Sequence, residues 1–386
     1  MLMKVICAPD KFKESLTAPQ AAQAIARGVR QVYPDAQVDL CPIADGGEGT
    51  VEALLSATQG QSMTSRVADP LGHPINARWG ILGQTADDQP VTAVLEMAAA
   101  SGLALVPQAR RDPTQTSTYG TGQLIAAAMD AGARRIILGI GGSATNDAGC
   151  GALQALGARF YDRNNQLITQ PMAGGLLEYI TRIDLASLHP ALKETTIIVA
   201  CDVTNPLTGP DGAAFIYSPQ KGATPAMVQQ LDRGLSHIAS IWRNQLGRDV
   251  ETTPGSGAAG GLGGGLMAML GATLQGGVGL VLQAVNFASR ASQADLCFTG
   301  EGRLDGQSLS GKACLGVASV ARQAGVKQVI ALVGSAADDA HRTLEAGLDA
   351  YHVIGEGLTK QESMRRASEL LEQAVARVMQ SWKAGV

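Results

Sequence analysis

The feature that most constrains this chain is a repeated order of short apolar runs, glycine-rich loops and helical patterns. An apolar run over residues 4–8 leads into a polar loop and then into Thr17-Ala-Pro-Gln20, a capping box that opens an alanine-rich helix. The same order returns around residues 135–151 and again from residue 296 to the end of the chain. Buried strands that alternate with helices are typical of α/β folds. The sequence therefore predicts an α/β protein.

Between residues 64 and 96 the pattern changes, because short apolar segments are separated by proline-containing turns. These segments are typical of antiparallel strands. The length of 386 residues favours two domains. Since the two ends share one pattern, we predict a discontinuous α/β domain over residues 1–62 and 291–386, with a mixed α/β domain inserted over residues 63–290.

The composition agrees with thin, closely packed layers. Glycine accounts for 47 of 386 residues, well above the roughly 7% of an average protein. Aromatic residues make up 4% and the hydrophobic set 45%, so Ala, Val, Ile and Leu must supply most of the core. The net charge is −4 without a long run of either sign, so we expect no nucleic-acid partner.

The cysteines and the N-terminus indicate a cytoplasmic protein. Six cysteines are scattered without a CxxC pair or metal-ligand spacing, which favours buried, reduced thiols. The first apolar run is too short for a signal peptide. Residues 252–289 carry no charge, but their glycine content and the lack of a basic flank favour a buried helix, with leucines at 262, 266, 270 and 274. We expect no membrane association.

Two glycine motifs resemble known nucleotide-binding patterns without matching them. Gly255-Ser-Gly257-Ala-Ala-Gly260 fits GxGxxG, but it follows no strand, and the ribose-binding acid expected about 20 residues later is missing. Its backbone N–H groups can still hold a phosphate, or its glycines can serve close packing. The segment from Gly306 to Lys312 has Walker A spacing, but Ala313 replaces the Ser or Thr that binds Mg²⁺.

Acidic residues follow several predicted strands, and this recurrence indicates phosphoryl transfer. Carboxylates beside small and hydroxyl residues occur after the strands that end near residues 8, 41, 140, 200 and 299. Phosphoryl transfer needs oxygen ligands for Mg²⁺, cations for the phosphate charge and a group that accepts the hydroxyl proton. The five histidines show no HExxH or HxxxH spacing, which argues against zinc, and the lack of GxSxG argues against a serine hydrolase.

These loops resemble the signature segments of the type-1 glycerate kinases, and the likeness extends from residue 4 to about residue 353. The matching segments are residues 8–15, 45–50, 118–122, 141–147, 201–206, 255–261 and 299–306. The resemblance implies ATP-dependent phosphorylation of the 2-hydroxyl of D-glycerate, giving 2-phosphoglycerate and ADP. It also implies two α/β domains, one of them flavodoxin-like and built from both chain ends, with the active site in the cleft between them.

Chemistry suggests a role for each polar loop residue. Lys11 and Arg303 are suited to bind the substrate carboxylate or the migrating phosphoryl group. Asp202 or Asp305 is the candidate acceptor of the hydroxyl proton. For Asp202 the alternative is a structural role in capping a turn. Asp45, Glu48 and Glu301 are the candidate Mg²⁺ ligands. The remaining candidates would bind substrate or phosphate, and they are Asp10, Asn146, Ser256, Gly257, Gly260 and Lys312.

Other functions stay open at this point. A 3-phosphorylating glycerate kinase would use the same groups. A magnesium-dependent hydrolase or lyase would act without ATP, and a non-catalytic sensor of a small hydroxy acid would bind without releasing ADP. The protein is expected to be a monomer or a homodimer.

Overall fold

The structure is a computed structural model that describes residues 2–83, 90–305 and 313–385. The chain divides into two compact units. The terminal unit comprises Met1–Asp45, Glu52–Gly60 and Val278–Val386. The middle unit comprises Gly46–Val51 and Gln61–Gly277.

The strands and α-helices of the described residues are numbered in chain order. The strands are β1 (Lys4–Pro9), β2 (Gln37–Leu40), β3 (Gln61–Ala68), β4 (Pro74–Ile81), β5 (Thr92–Glu96), β6 (Arg135–Gly139), β7 (Arg159–Tyr161), β8 (Arg182–Asp184), β9 (Thr196–Ala200), β10 (Thr273–Gln275), β11 (Leu296–Glu301), β12 (Gln328–Val333) and β13 (Ala350–Val353). The helices are α1 (Ala18–Val32), α2 (Thr50–Thr58), α3 (Ala98–Ser101), α4 (Tyr119–Asp130), α5 (Cys150–Ala155), α6 (Ala213–Tyr217), α7 (Pro225–Leu246), α8 (Ala258–Leu270), α9 (Gly277–Ala284), α10 (Phe287–Ala291), α11 (Ala313–Gln323), α12 (Arg342–Glu345), α13 (Lys360–Arg365) and α14 (Ala367–Ala384).

The terminal unit is built on a parallel five-stranded sheet in the order β2-β1-β11-β12-β13. Counted within the unit, this order is 2-1-3-4-5, the flavodoxin-like arrangement. In the central pair Val5 lies opposite Leu296, and both side chains are fully buried. The predicted α/β class, with a parallel sheet assembled from both ends of the chain, is confirmed.

Helix α1 shows how local sequence shapes this unit. Thr17 caps the helix through the reciprocal bonds with Gln20 that the capping box predicts. The buried face of α1 packs on α14, and Gly28 allows the close approach, because a Cβ at this position would lie 2.5 Å from the carbonyl oxygen of Glu372. A larger residue there would push the two helices apart.

The middle unit contains a mixed six-stranded sheet in the order β10-β9-β6-β5-β4-β3. Strands β3, β4 and β5 pair antiparallel, as the turn-rich segment predicts, and the other pairs are parallel. Its core includes Trp79, Phe160 and Trp242, each at most 2% exposed. The mixed α/β architecture predicted for the middle of the chain is therefore also confirmed.

The uncharged stretch departs from its prediction at its end. Helix α8 stops because Gly271 adopts φ 69°, so Leu274 lies in β10 and does not extend the helix. At its start, Ala259, Gly260 and Gly261 have left-handed backbone and break the first turn. In the part of the chain that the structure describes, no helix combines the length and apolar character needed to cross a membrane.

Candidate active site

The carboxyl ends of the parallel strands in the terminal unit open onto a cavity of about 780 Å³. The loops that follow β1, β11, β12 and β13 line it. From β1 the chain adds β2 on one side of the sheet, and β11, β12 and β13 on the other, so the order of strands switches between β1 and β11. Because α/β sheets bind ligands at such switch points, this cavity is the candidate active site of the terminal unit.

The loop after β1 is held in place by an apolar anchor. Phe12 is 3% exposed, and its backbone exchanges two hydrogen bonds with that of Leu16. Ser15 Oγ donates to the backbone carbonyl of Met364 in α13 at 2.8 Å. With the loop fixed in this way, Asp10 and Lys11 line the cavity.

Three carboxylates lie at the switch point: Asp10, Asp45 and Glu301. Asp10 is only 7% exposed, and its Oδ1 accepts the backbone N–H of Lys11 at 2.6 Å. Burial, reinforced by the charge of Asp45 and to a smaller extent by that of Glu301, raises the pKa of Asp10 to about 7. Negative charge gathered in a buried position favours the binding of cations there.

Positive groups line the same cavity. Lys11 and Arg303 both contribute to its wall. The Arg303 side chain is 68% exposed, and its Nε lies 3.5 Å from Oδ2 of Asp305. Its guanidinium is therefore accessible to an anionic ligand. Asp305 pairs with this arginine without lining the cavity, and Lys312 lies outside the described residues.

In the middle unit, a buried carboxylate joins two of the sequence motifs. Asp147 is fully buried and accepts both the backbone N–H and the hydroxyl of Thr118, each at 2.8 Å. It also accepts the backbone N–H groups of Gly149 and Gly151. Burial raises its pKa, and these four donors oppose that change. Asp147 thus connects the loop before α4 with the loop after β6.

A buried lysine that the sequence analysis missed supports the same loop. Lys221 is 2% exposed, and its Nζ donates to Ser143 Oγ at 2.8 Å and to the carbonyl oxygen of Thr145 at 2.7 Å. Burial lowers the pKa of Lys221 to about 7, against the opposing effect of Asp147. The sequence around it, Pro-Gln-Lys-Gly, gives no sign that this lysine is buried.

Two predicted phosphate-binding residues meet in this buried region. Asn146 is fully buried, its Nδ2 donates to Ser218 Oγ, and its Oδ1 has no hydrogen-bond partner among the described residues. Gly260 packs against the same loop so closely that a Cβ would lie 2.1 Å from the carbonyl oxygen of Thr145. The structure brings these two residues together, and the packing accounts for the glycine.

The neighbouring positions of the GxGxxG segment are also engaged internally. Ser256 is buried, and its Oγ donates to the carbonyl oxygen of Glu251 at 3.2 Å. The backbone N–H of Gly257 donates to the carbonyl oxygen of Asn205 at 3.0 Å. Binding of phosphate by these residues stays a prediction.

Two further candidate residues belong to the middle unit and do not line the terminal cavity. Asp202 is exposed after β9, and its Oδ1 accepts the backbone N–H of Gly277 at 2.7 Å. Glu48 is exposed in the segment Gly46–Val51. Of the three predicted metal ligands, Asp45 and Glu301 thus share the terminal cavity and Glu48 does not.

The donor set of the cavity is compatible with Mg²⁺ bound together with a nucleotide. Mg²⁺ prefers carboxylate oxygens and, in nucleotide sites, usually takes one or two of them along with substrate phosphates. Among the described residues, no three His, Cys, Asp or Glu side chains are placed to hold a metal ion. Asp45 and Glu301 could supply the one or two carboxylates of a nucleotide-bound Mg²⁺, because both line the cavity beside Lys11 and Arg303.

The cavity also includes loops that the sequence analysis did not single out. Gly334 and Ser335 follow β12, and the segment from Ile354 to Leu358 follows β13. Gly334 directly follows the buried strand β12, and Gly355 is separated by one residue from the half-buried strand β13. Asp338 and Glu356 follow these two strands, so the rule that selected the other strand-end loops applies to them as well.

Comparisons with known proteins agree with this architecture. The sequence model of the glycerate kinase family matches residues 5–383. A glycerate 2-kinase of Escherichia coli K12 is 49% identical over 366 residues, which are 95% of this chain and 94% of that protein. A glycerate kinase of Halalkalibacterium halodurans is 48% identical over 381 residues, 98% of each chain. The crystal structure of glycerate kinase 2 from Salmonella typhimurium LT2 superposes with a TM-score of 0.89 at 43% identity, covering 100% of this chain and 99% of that one.

Proposed function

The chain belongs to the glycerate kinase family, and we propose that it transfers the terminal phosphoryl group of ATP to the 2-hydroxyl of D-glycerate. The products are 2-phosphoglycerate and ADP. The choice of the 2-hydroxyl rests on the E. coli relative, which is named a glycerate 2-kinase.

The observation that carries this proposal is the set of opposite charges around one cavity at the switch point of the terminal sheet. Asp10, Asp45 and Glu301 lie there with Lys11 and Arg303. Phosphoryl transfer depends mainly on positioning and on electrostatic stabilisation of the phosphate charge. A cavity with both cations and carboxylates supplies the two kinds of group that this reaction requires.

Each group has a proposed role. Arg303 offers two parallel N–H donors to a carboxylate or phosphoryl group, and Lys11 adds a point charge. Asp45 and Glu301 would hold Mg²⁺, which when bound neutralises phosphate charge. For the acceptor of the hydroxyl proton, Asp10 joins Asp202 and Asp305 as a candidate, because Asp10 lines the cavity and they do not.

A coupled assay tests the function. ADP release is measured with D-glycerate present and absent, and the product is passed to enolase, which consumes 2-phosphoglycerate but not 3-phosphoglycerate. We expect glycerate-dependent ADP release and conversion by enolase. A product that enolase does not convert would identify the 3-phosphorylating reaction. Absence of glycerate-dependent ADP release would refute the kinase proposal and favour a sensor or an ATP-independent enzyme.

A charge variant tests the site. Loss of the Arg303 guanidinium should lower kcat/KM about 100-fold, since it removes a charge-assisted contact to an anion. Arg303→Ala is compared with Arg342→Ala, which removes an exposed arginine of α12 in the same unit. Equal activity of the two variants would show that Arg303 takes no part in the reaction.

A further inference from the structure

The cavity of the terminal unit is larger than glycerate requires. Its volume of about 780 Å³ falls in the range of roughly 300–1,000 Å³ that is usual for cofactor-sized ligands. The carboxylates and cations at the switch point come from the loops after β1 and β11 and from Asp45, and the exposed side chains of Glu356 and Lys360 add charge at the opposite rim. The loops after β12 and β13, together with α13, leave a second part of the cavity without an assigned ligand.

This second part has an apolar wall. We define the apolar wall as Phe12, Val353, Ile354, Leu358, Met364 and Ala367. Phe12, Ile354 and Ala367 belong to the buried core of the terminal unit, so they form a rigid base. Met364 is half-buried and lines the cavity. A methionine in such a position can adapt its shape to an apolar ligand.

The distance between the charged loop after β11 and the part of the apolar wall that follows β13 suits a nucleotide. Strand β12 lies between β11 and β13, so the loops that follow β11 and β13 are two strand spacings apart, about 10 Å. A nucleotide has a similar span from its phosphates to its base. Glycerate, which carries a carboxylate and two hydroxyls on three carbons, has almost no apolar surface to offer this wall.

Resting on the proposed function, we propose that the apolar wall binds the adenine ring of ATP while the phosphates lie at the charged loops after β1 and β11. Met364 then contacts the base on the side of α13. The bond from Ser15 Oγ to the carbonyl oxygen of Met364 holds this helix beside the loop that carries Asp10 and Lys11. The base and the phosphates are thereby bound by α13 and the loop after β1, two segments that a hydrogen bond joins.

Calorimetric titration with ADP and with pyrophosphate tests this assignment, because the two probes differ by the nucleoside. In Met364→Ala, Kd for ADP should rise about tenfold, as expected for a lost apolar contact in a binding pocket, and Kd for pyrophosphate should stay unchanged. Met364→Leu should retain the wild-type affinity for ADP. Leu344→Ala is the matched control, since Leu344 is 41% exposed on α12 in the same unit and does not line the cavity.

The kinetic assay gives a second readout, in which Met364→Ala raises KM for ATP and leaves KM for glycerate unchanged. Met364→Gln keeps the length of the side chain but gives it a polar end, so it should also weaken ADP binding. It takes the place of Met364→Ala if that variant does not fold. An unchanged ADP affinity, or an equal loss for ADP and pyrophosphate, would overturn the inference. If the wild-type protein binds ADP but does not phosphorylate glycerate, the proposed function fails, and the comparison of ADP with pyrophosphate still decides where the base binds. A wild-type protein that binds neither probe would overturn both.

Discussion

Replacing Lys221 by methionine should remove a pH dependence from the stability of the middle unit. Nζ of Lys221 donates two hydrogen bonds, to Ser143 Oγ and to the carbonyl oxygen of Thr145. A neutral amine has two N–H donors, so the uncharged form satisfies both acceptors. Burial lowers the pKa of this amine from 10.5 to about 7, although Asp147 opposes the change. The native protein therefore binds this proton more weakly than the unfolded chain does.

The sign and size of the effect follow from that difference. Between pH 7 and 10.5 the unfolded chain holds a proton that the native state has lost, so the free energy of unfolding rises with pH. Each pH unit well inside this window contributes about 1.4 kcal/mol, and since the native state is only half deprotonated at pH 7, the change from pH 7 to pH 9 is about 2 kcal/mol. Below pH 7 both states are protonated, and the cost of the buried charge is constant. We expect wild type to gain about 2 kcal/mol relative to Lys221→Met over this range.

Tryptophan fluorescence can follow the middle unit alone. Trp79 and Trp242 lie buried in this unit, and the remaining tryptophan, Trp382, belongs to the terminal unit. Urea unfolding is therefore measured at pH 7, 8 and 9 in a Trp382→Phe background. Lys193→Met, at an exposed position of the same unit, is the control and should show no such slope. A difference between wild type and Lys221→Met that does not change with pH would refute the reasoning.

Two further predictions concern buried charge and close packing. Burial and the neighbouring carboxylates raise the pKa of Asp10 from 3.8 to about 7, so its ionised form destabilises the fold and stability falls as pH rises through this window. In thermal unfolding at pH 8, Asp10→Asn should be more stable than wild type by up to about 4 kcal/mol, and it should lose activity. The gain in stability should vanish near pH 4. A gain of the same size at both pH values would contradict this account. Gly260→Ala and Gly247→Ala form a matched pair, because both glycines have left-handed backbone, at φ 68° and 65°. A Cβ on Gly260 would lie 2.1 Å from the carbonyl oxygen of Thr145, whereas a Cβ on Gly247 would have no atom within 4 Å. Chemical denaturation should show a loss of about 1 kcal/mol for Gly247→Ala and several times that for Gly260→Ala, and equal losses would exclude the steric explanation.

Local signals allowed most of the strands and helices to be predicted, and the similar pattern of the two chain ends assigned them to one sheet, but which strand pairs with which was out of reach. The capping box at Thr17 and the buried run at β1 depend on neighbouring residues only, and both are present in the structure. The placement of β1 beside β11 joins residues nearly 300 positions apart, and no periodicity encodes that choice. The end of α8 was misplaced because the leucine spacing continues to Leu274 although Gly271 has already ended the helix.

The charged part of the site was more accessible to sequence reasoning than its buried supports. Asp10 and Lys11 follow β1 directly, Glu301 is the last residue of β11, and the carboxyl ends of parallel strands meet at one edge of a sheet. Lys221 became recognisable only in the folded chain, because its burial depends on loops far away in sequence. The apolar wall was missed for a similar reason, since Met364 and Val353 look like ordinary core residues until the cavity is seen.

The glycine excess has two physical causes, close packing of backbone segments and left-handed backbone conformation. In the middle unit, each of the seven glycines from Gly255 to Gly265 has another atom within 3.0 Å of the position that a Cβ would occupy, and several of these atoms are backbone carbonyl oxygens. These glycines let one backbone segment approach another, which leaves little room for a ligand. In the terminal unit, Gly357 lines the cavity at φ 79° with no atom within 4 Å of its missing Cβ. Such a glycine is required for its backbone conformation and leaves its surface open to a bound molecule. The position of charged residues at strand ends therefore identifies the candidate phosphate site better than the density of glycines does.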